Sequence, residues 1–314
     1  MLKISSGLIG IAAVLSLATL PVPATAAIPP RPGVVNYVEG NANIDGHRIT
    51  FKDVGSTALD TNQVLTTAQG KAEILLTPGV FLRVNNNSQV RMVSTGLTDT
   101  SVELLRGEAL VEADTLFKEN HVAVLERGST TTLAKNGLYS FNADLARVAV
   151  YEGEAAVQQD DHTVTVKKGK DVNIGGRLKA VSFDRNQVDE LYHWSNLRSE
   201  YVSEANINSA PTYVVNPGLW YGSGWYWDPY FDFYSFIPGS GFLYSPFGWG
   251  FYSPWVAPVV IYRGGGRVVT APVRGTFQGS AAVSSFRGGN AAVSGGFRSG
   301  FSGGGGFHGG GGRR

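Results

Sequence analysis

The chain contains no cysteine at any of its 314 positions. Disulfide bridges, thiolate metal sites and the acylated cysteine of a bacterial lipoprotein are therefore excluded. Without disulfides, an exported protein has to be stabilised by its hydrophobic core, and residues 34–181 are numerous enough to form one. Histidine is also scarce, and the five histidines share no metal-ligand spacing: His47, His121, His162, His193 and His308.

The motifs by which many enzymes are recognised are missing as well. The sequence has no nucleophile elbow, phosphate-binding loop or dinucleotide fingerprint. Acidic pairs such as Asp160-Asp161 and Asp189-Glu190 fall in a turn and on a helix surface, where they are better explained as solvated charges than as general acids and bases. We predict that the protein has no catalytic residue, metal or cofactor and is not an enzyme.

No hydrophobic run is long enough to cross a bilayer comfortably. The longest, Gly7 to Leu20, follows Lys3 and precedes the small-residue pattern Ala24-Thr25-Ala26. This arrangement is typical of a cleaved secretory signal, here residues 1–26. We expect the mature chain to begin at Ala27, to be exported to the periplasm, the outer cell surface or the medium, and to lack a transmembrane span.

Short apolar and β-branched runs follow one another from Val34 to Val181. Several alternate between polar and apolar positions, as strands do when one face is buried, and turn pairs such as Asp45-Gly46 and Pro78-Gly79 separate them. We predict an all-β domain over residues 34–181, built as an antiparallel β-sandwich or β-roll.

Three segments of this domain share a charged-Gly-x-Ala-x-apolar pattern, centred on Gly40, Gly107 and Gly153. Glycine suits a tight corner between two strands because it tolerates positive φ and has no side chain. We interpret the three glycines as structural turns of a sandwich or roll. A short β-helix of similar coils is the alternative, although the spacings of the pattern are unequal.

The same elements resemble the FecR domain family over roughly residues 34–175. The residues that carry the resemblance are Leu65-Thr66-Thr67, Lys71–Leu76, Pro78-Gly79, Asn87-Ser88, Val102–Ala109 and Val148–Gly153. The family includes the periplasmic part of the iron-dicitrate transport regulators and many stand-alone exported proteins, so the resemblance implies a scaffold or sensor. Those regulators carry an anti-sigma segment and a membrane span before the domain. A signal sequence takes that place here, which argues against a direct role on a sigma factor.

One helix is predicted over residues 184–205. Asp184 is a suitable N-cap, with Gln187 three residues later. An apolar stripe at helical spacing predicts that the helix docks on the β domain. The stripe consists of Val188, Leu191, Trp194, Leu197 and Tyr201.

Residues 213–262, called here the aromatic extension, contain 19 aromatic residues and five of the six tryptophans. Their density of Pro and Gly predicts no long helix or regular strand. Flat rings with a polar edge suit contact with sugars, proteins or lipid headgroups. The candidate contact surface is Trp220, Trp225, Trp227, Trp249 and Trp255; in the alternative interpretation, the rings merely fill an outer core.

The tail, residues 263–314, is rich in Gly and contains seven Arg and no acidic residue. This composition predicts disorder and, in an exported protein, contact with an anionic surface more than with nucleic acid. Taken together, the sequence predicts a non-enzymatic protein of the cell envelope that binds an envelope protein or polysaccharide. A carbohydrate-binding module and a periplasmic signal sensor are the alternatives.

Overall fold

The structure is a computed structural model that describes residues 28–263 and 266–270. The chain divides into a unit from Met1 to Pro272 and a unit from Val273 to Arg314, and all described residues belong to the first. The signal sequence predicted over residues 1–26 and most of the predicted disordered tail lie outside the described residues. Among the helices that are described, none is long and apolar enough to cross a membrane.

Fifteen strands between Val35 and Ser182 form one hydrogen-bonded sheet, which confirms the predicted β-rich fold. In chain order they are β1 (Val35–Ile44), β2 (His47–Ile49), β3 (Val64–Thr77), β4 (Val80–Val84), β5 (Gln89–Thr95), β6 (Asp99–Arg106), β7 (Glu108–Ala113), β8 (His121–Glu126), β9 (Ser129–Leu133), β10 (Gly137–Asn142), β11 (Arg147–Glu152), β12 (Glu154–Gln159), β13 (His162–Lys167), β14 (Lys170–Asn173) and β15 (Val181–Ser182).

The sheet folds back on itself at the long strand β3. The first part of β3 pairs with β5, and its later part pairs with β4. One side continues through β5, β6, β8, β9, β12 and β13 and is called the outer layer. The other continues through β4, β7, β10, β11, β14 and β15 and is called the middle layer. The chain crosses repeatedly between the layers. Among the described strands, neighbours are antiparallel except β6 and β8, which are parallel. A β-helix would require stacked parallel strands, so the sandwich or roll is the correct interpretation.

The three predicted glycine corners adopt left-handed backbone conformations. Gly107 (φ +78°) leads from β6 in the outer layer to β7 in the middle layer, and Gly153 (φ +93°) leads from β11 back to β12. Gly40 (φ +68°) lies where β1 bends opposite Gly70. A Cβ atom on Gly40 would overlap the carbonyl oxygen of Gln69. Glycine is therefore required at position 40 both by its positive φ and by the close approach of β3.

The main core fills the space between the two layers. Its members are buried side chains that alternate along the strands, including Leu82, Val111, Phe141 and Val150 from the middle layer and Val102, Val124 and Val157 from the outer layer. The small alanines beside the glycine corners, Ala42, Ala109 and Ala155, are buried in the same core.

The main helix, α1, runs over Glu190–Ser209 rather than over the predicted residues 184–205. The side chain of Asp189 accepts a hydrogen bond from the backbone N–H of Tyr192 (2.7 Å) and is the true N-cap. Asp184 caps a preceding turn instead, where it accepts from the backbone N–H of Asn186 (3.0 Å). Asp189 lacks the Gln or Glu three residues later that made Asp184 the predicted N-cap, so the capping-box signal marked the turn and not the start of the helix.

The buried face of α1 is polar, which differs from the predicted apolar stripe. Leu191 is buried, and Val188 and Trp194 are partly buried, but Leu197 and Tyr201 are 47% and 41% exposed. The buried positions recur at helical spacing and are mostly hydrophilic: Leu191, Ser195, Arg198, Ser199, Val202, Ser203, Ala205, Asn206 and Ser209. The prediction that the helix docks on the β domain is correct, but this face is formed largely by serines, Asn206 and Arg198.

The aromatic extension forms regular hairpins, contrary to the prediction from its Pro and Gly content. The elements after α1 are α2 (Thr212–Val215), β16 (Gly224–Asp228), β17 (Phe233–Ile237), β18 (Phe242–Tyr244), β19 (Gly250–Tyr252), β20 (Val259–Arg263) and β21 (Gly266–Thr270). Short 3-10 turns lie at Phe51–Asp53, Pro217–Leu219 and Pro254–Val256. Pro229 falls in the β16–β17 turn, where the buried Asp228 accepts hydrogen bonds from the backbone N–H groups of Tyr230 and Phe231 (2.8 and 3.1 Å). The prolines therefore lie between the strands, and the glycines inside them, Gly224, Gly250 and Gly266, each stand at the first position of a strand.

Candidate functional site

The aromatic extension and α1 form a third layer on the outward face of the middle layer. A second hydrophobic cluster joins Leu75 and Phe81 of the sheet, Val202 and Ala205 of α1, and Trp225, Phe233, Phe236 and Phe251 of the extension. The middle layer is consequently covered on both faces, and every residue of β4 is buried. The part of the extension that this packing leaves exposed is the place to look for a binding site.

Asn36 of β1 fixes the β16–β17 hairpin to the sheet. Its side-chain amide donates to the carbonyl oxygen of Tyr234 (3.0 Å) and accepts from the backbone N–H of Tyr234 (2.8 Å). The amide also donates to Glu73 (2.9 Å). Because Asn36 is fully buried, these bonds are protected from water and hold the hairpin in one register.

Glu73, Arg83, Glu112 and Arg198 form a buried ion cluster between the sheet and α1. Arg83 donates to Glu73 (2.8 Å) and to Glu112, and Arg198 of α1 donates to Glu73 (3.0 Å). Burial alone would raise the pKa of Glu73, but Arg198 and Arg83 hold it down at about 2. The cluster is charge-balanced and almost wholly withdrawn from water, so it serves to attach the helix and not to bind solute.

The five tryptophans of the predicted contact surface do not come together. Trp225 is only 2% exposed and belongs to the second hydrophobic cluster, whereas Trp255 is 56% exposed. Trp249 is half-buried and donates from Nε1 to Asn196 of α1 (2.8 Å). Trp220 stacks on Tyr226, and Trp227 packs edge-on to Tyr234. The outer-core interpretation holds for Trp225, and of the five tryptophans only Trp227 lines the groove described next.

That groove has a volume of about 460 Å³ and lies at the junction of the N-terminal segment and the β16–β17 hairpin. We call it the aromatic groove. Its lining is Ile28, Pro29, Pro30, Tyr213, Leu219, Tyr221, Tyr226, Trp227 and Tyr234. Tyr226 is sandwiched between Trp220 and Tyr221, with ring centroids 5.2 and 4.3 Å apart. Tyr221 and Leu219 at its edge are each 63% exposed.

Most tyrosine hydroxyls of the groove are already used within the chain. Tyr221 donates to the carbonyl oxygen of Trp225, Tyr226 donates to that of Gly222 (2.8 Å), and Tyr234 donates to that of Ile28. Burial raises the pKa of Tyr226 to about 12, and burial also raises the pKa of Tyr221, so both stay protonated at neutral pH. The groove therefore presents the exposed ring of Tyr221 and few free donors, because Tyr226 and Tyr234 are themselves buried.

The groove was missed by reasoning from the sequence because its two sides are far apart in the chain. Ile28 and Tyr234, which are hydrogen-bonded, are 206 positions apart. The candidate residues predicted from the sequence are all tryptophans, whereas tyrosine contributes four of the lining residues. The sequence contains both halves of the groove, the Ile28-Pro29-Pro30 segment and the tyrosine-rich region. Nothing in the sequence shows that these two segments are in contact.

A second, polar pocket of about 260 Å³ lies at the Gly107 corner. It is lined by Asn85, Asn86, Asn87, Arg106, Gly107, Glu108, Asn142, Asp144 and Leu145. Burial and the neighbouring Asp189 raise the pKa of Glu108 to about 7. Within residues 28–263 and 266–270, no three His, Asp or Glu side chains are placed to hold a metal ion.

Comparison with known proteins gives one family match and two similar solved structures. Residues 62–170 match the family described as FecR protein, which confirms the resemblance over that part of the chain. Two crystal structures of a candidate anti-sigma factor from Parabacteroides distasonis ATCC 8503 are similar, each with a TM-score of 0.34 and 14% sequence identity. Each match covers 42% of this chain and only 62% or 63% of the other chain. No curated protein matches the chain.

Proposed function

We propose that the FecR domain of this chain is the scaffold of an exported, non-enzymatic interaction protein of the cell envelope, which contacts its partner through the aromatic groove. The observation that carries the proposal is the groove itself: exposed Tyr221 and Leu219 border an open depression on the three-layer structure. Its volume lies within the ~300–1,000 Å³ of ordinary ligand sites. Aromatic rings around such a site favour binding of apolar or ring-bearing groups.

The contact is tested by measuring how much of the purified mature chain, residues 27–314, is retained on an isolated envelope fraction. Tyr221→Ala should reduce retention at least about fivefold, because it removes the most exposed ring of the groove. Tyr244→Ala is the matched control: Tyr244 is also 63% exposed but lies outside the groove. Equal retention of the two variants, with melting temperatures unchanged, would contradict the proposal. Trp225 is unsuitable for this test because its removal would disrupt the core.

Export is tested separately. N-terminal sequencing of the protein recovered from the periplasm or the medium should begin at Ala27 if residues 1–26 act as a signal. Recovery of the intact chain, with Met1, from the cytoplasm would refute this part of the proposal.

The arginine-rich tail adds a second, electrostatic contact in this proposal. Its seven arginines should attract anionic lipid or polysaccharide, and such attraction is screened by salt. Retention that remains after Tyr221→Ala should therefore fall as ionic strength rises.

A further inference from the structure

Asp114, a buried carboxyl group directly after β7, has no part in the proposed function. We propose that Asp114 is a pH-sensitive switch for the third layer, which packs on the sheet while Asp114 is protonated and loosens when rising pH ionises it. The inference does not depend on the proposed function, because it concerns how α1 and the aromatic extension are attached and not what they bind. Three observations support it.

The first observation is the position of Asp114. Its backbone N–H donates to the carbonyl oxygen of Gly79 (2.8 Å), which extends the pairing of β7 with β4 by one residue. Side chains alternate along a strand, so Asp114 lies on the same outward face as Glu112, the face that the third layer covers. Asn136 holds the backbone by donating to the carbonyl oxygen of Asp114 (3.0 Å). The carboxyl group, in a residue only 2% exposed, is therefore kept from water while the third layer is in place.

The second observation is the number of charges on this face. Three carboxyl groups lie among two guanidinium groups: Glu73, Glu112 and Asp114 with Arg83 and Arg198. Arg83 donates to Glu73 (2.8 Å) and to Glu112. Arg198 donates to Glu73 (3.0 Å). Within the described part of the chain, no group donates a hydrogen bond to either carboxyl oxygen of Asp114. The other four groups balance one another, so a charge on Asp114 would be uncompensated.

The elements of the third layer supply no further cation to this face. Arg198 is the only Lys or Arg of α1, and it is already paired with Glu73. The aromatic extension has two charged residues, Asp228 and Asp232, and both are acidic. A buried charge without a partner is unfavourable, so the folded protein favours the neutral form of Asp114.

The direction of the pKa shift agrees with this count of charges. Burial raises the pKa of Asp114 well above its ordinary 3.8, the negative charge of Glu112 adds to the rise, and Arg83 opposes it. Above pH 3.8 the folded state therefore holds a proton that the unfolded state has lost. The stability that depends on this proton is complete below pH 3.8. It falls as the pH rises, until Asp114 ionises in the folded protein as well.

The third observation is that the third layer is attached to the sheet beside Asp114. Ser199 of α1 donates to Glu112 (2.6 Å), and Ser235 of β17 donates to the carbonyl oxygen of Val202 in α1 (2.8 Å). A charge on Asp114 repels Glu112, and it can be hydrated only if the layer above it moves away. Because α1 and β17 are bonded to each other, the hairpin that lines the aromatic groove would loosen together with the helix.

The test compares the mature chain, residues 27–314, with Asp114→Asn, which keeps the size of the side chain and is neutral at every pH. Urea denaturation from pH 4 to pH 9 gives the equilibrium constant of folding for each chain. The constant of the unmodified chain, divided by that of Asp114→Asn, should fall as the pH rises, by up to about tenfold per pH unit. It should level off where Asp114 ionises in the folded protein. Glu126, whose pKa burial raises to about 8, is present in both chains and cancels from the ratio.

Hydrogen exchange followed by mass spectrometry shows which part of the molecule responds. After correction for the intrinsic exchange rate, amide protection in α1 should fall with rising pH in the unmodified chain and stay constant in Asp114→Asn. The β8–β9 hairpin of the outer layer is the internal reference and should behave alike in both chains. Asp161→Asn is the matched control, because Asp161 is exposed in the β12–β13 turn. Its ratio to the unmodified chain should not change with pH.

Two outcomes would overturn the inference. If Asp114→Asn is less stable than the unmodified chain by the same factor at every pH, Asp114 is ionised and paired inside the fold. If the ratio changes with pH but the protection of α1 is the same in both chains, the charge is accommodated without movement of the third layer.

Discussion

At the scale of single residues, the glycine corners connect the sequence pattern to the two-layer sheet. Gly153 has a φ of +93°, and an added Cβ would overlap the hydroxyl oxygen of Tyr139. The backbone oxygen of Asn136 also lies only 2.6 Å from that position. Tyr139 in turn accepts a hydrogen bond from the backbone N–H of Glu154 (3.2 Å), so the corner and the next strand are fixed together.

Gly153→Ala should therefore destabilise the protein far more than an ordinary turn substitution. Gly128→Ala is the matched control, because Gly128 has a similar φ of +80° but open space around it. We expect the control to cost ~1 kcal/mol of unfolding free energy for left-handed strain. Gly153→Ala should cost on the order of 3 kcal/mol, because overlap with packed atoms is added. Chemical denaturation of both variants measures the difference, and equal values would show that the corner is not tightly packed.

At the scale of secondary-structure elements, α1 shows how a polar face can hold two parts of a protein together. Ser199 donates to Glu112 of the sheet (2.6 Å), and Ser203 donates to the carbonyl oxygen of Gly250 (2.7 Å). Asn206 donates to the carbonyl oxygens of Phe236 and Tyr252 (3.0 and 2.9 Å). Because buried polar groups are costly unless they are paired, these bonds favour one particular docking of the helix.

Arg198→Met tests the attachment of α1. The substitution keeps an apolar stem over Tyr37 and Phe233 but leaves Glu73 with one cationic partner fewer. Breaking a buried ion cluster in this way costs ~3–5 kcal/mol. Leu197→Ala, on the exposed side of the same helix turn, should cost less than ~0.5 kcal/mol.

Arg198→Met should also change the stability of the protein at acid pH. The folded state holds the pKa of Glu73 at about 2, below its ordinary 4.5, so ionised Glu73 stabilises the fold above pH 4.5. That contribution is lost as the pH falls from 4.5 towards 2. Without Arg198 the pKa of Glu73 rises, and acid unfolding followed by circular dichroism should begin at a higher pH. An unchanged acid transition would mean that Arg83 alone controls Glu73.

The strands of the two-layer sheet and its glycine corners were predicted correctly from local sequence, whereas the start of α1 and the hairpins of the aromatic extension were not. Alternation identified the strands, and the repeated Gly-x-Ala pattern identified corners that need positive φ. The inward face of α1 could not be predicted because serine and arginine usually face water. Their burial depends on Glu73 and Glu112, which are 125 and 87 positions away from their partners on the helix. The aromatic groove was missed for the same reason.

At the scale of the whole molecule, the two-layer sheet needs the layer that follows it. The outward face of the middle layer contains Leu75, Phe81, Leu110 and Leu138, all buried under α1 and the aromatic extension. Without that cover, these side chains and the ion cluster of Glu73, Arg83 and Glu112 would meet water on an open sheet face. A large exposed apolar patch favours aggregation.

Two truncations test this dependence. A chain of residues 27–270 keeps every contact described above and should melt within ~3 °C of residues 27–314, a shift that corresponds to less than about 1 kcal/mol in a protein of this size. A chain of residues 27–183 loses α1 and the extension, so it should aggregate or bind the hydrophobic dye ANS strongly. Analytical ultracentrifugation and thermal melting distinguish the two chains. If the 27–183 chain is monomeric and melts at the same temperature as residues 27–270, the two-layer sheet is stable by itself. The third layer would then carry the groove without contributing to the stability of the sheet. Loss of stability in residues 27–183 alone would show that the sheet and the groove fold as one cooperative unit, in which any ligand that binds the folded groove would also stabilise the two-layer sheet.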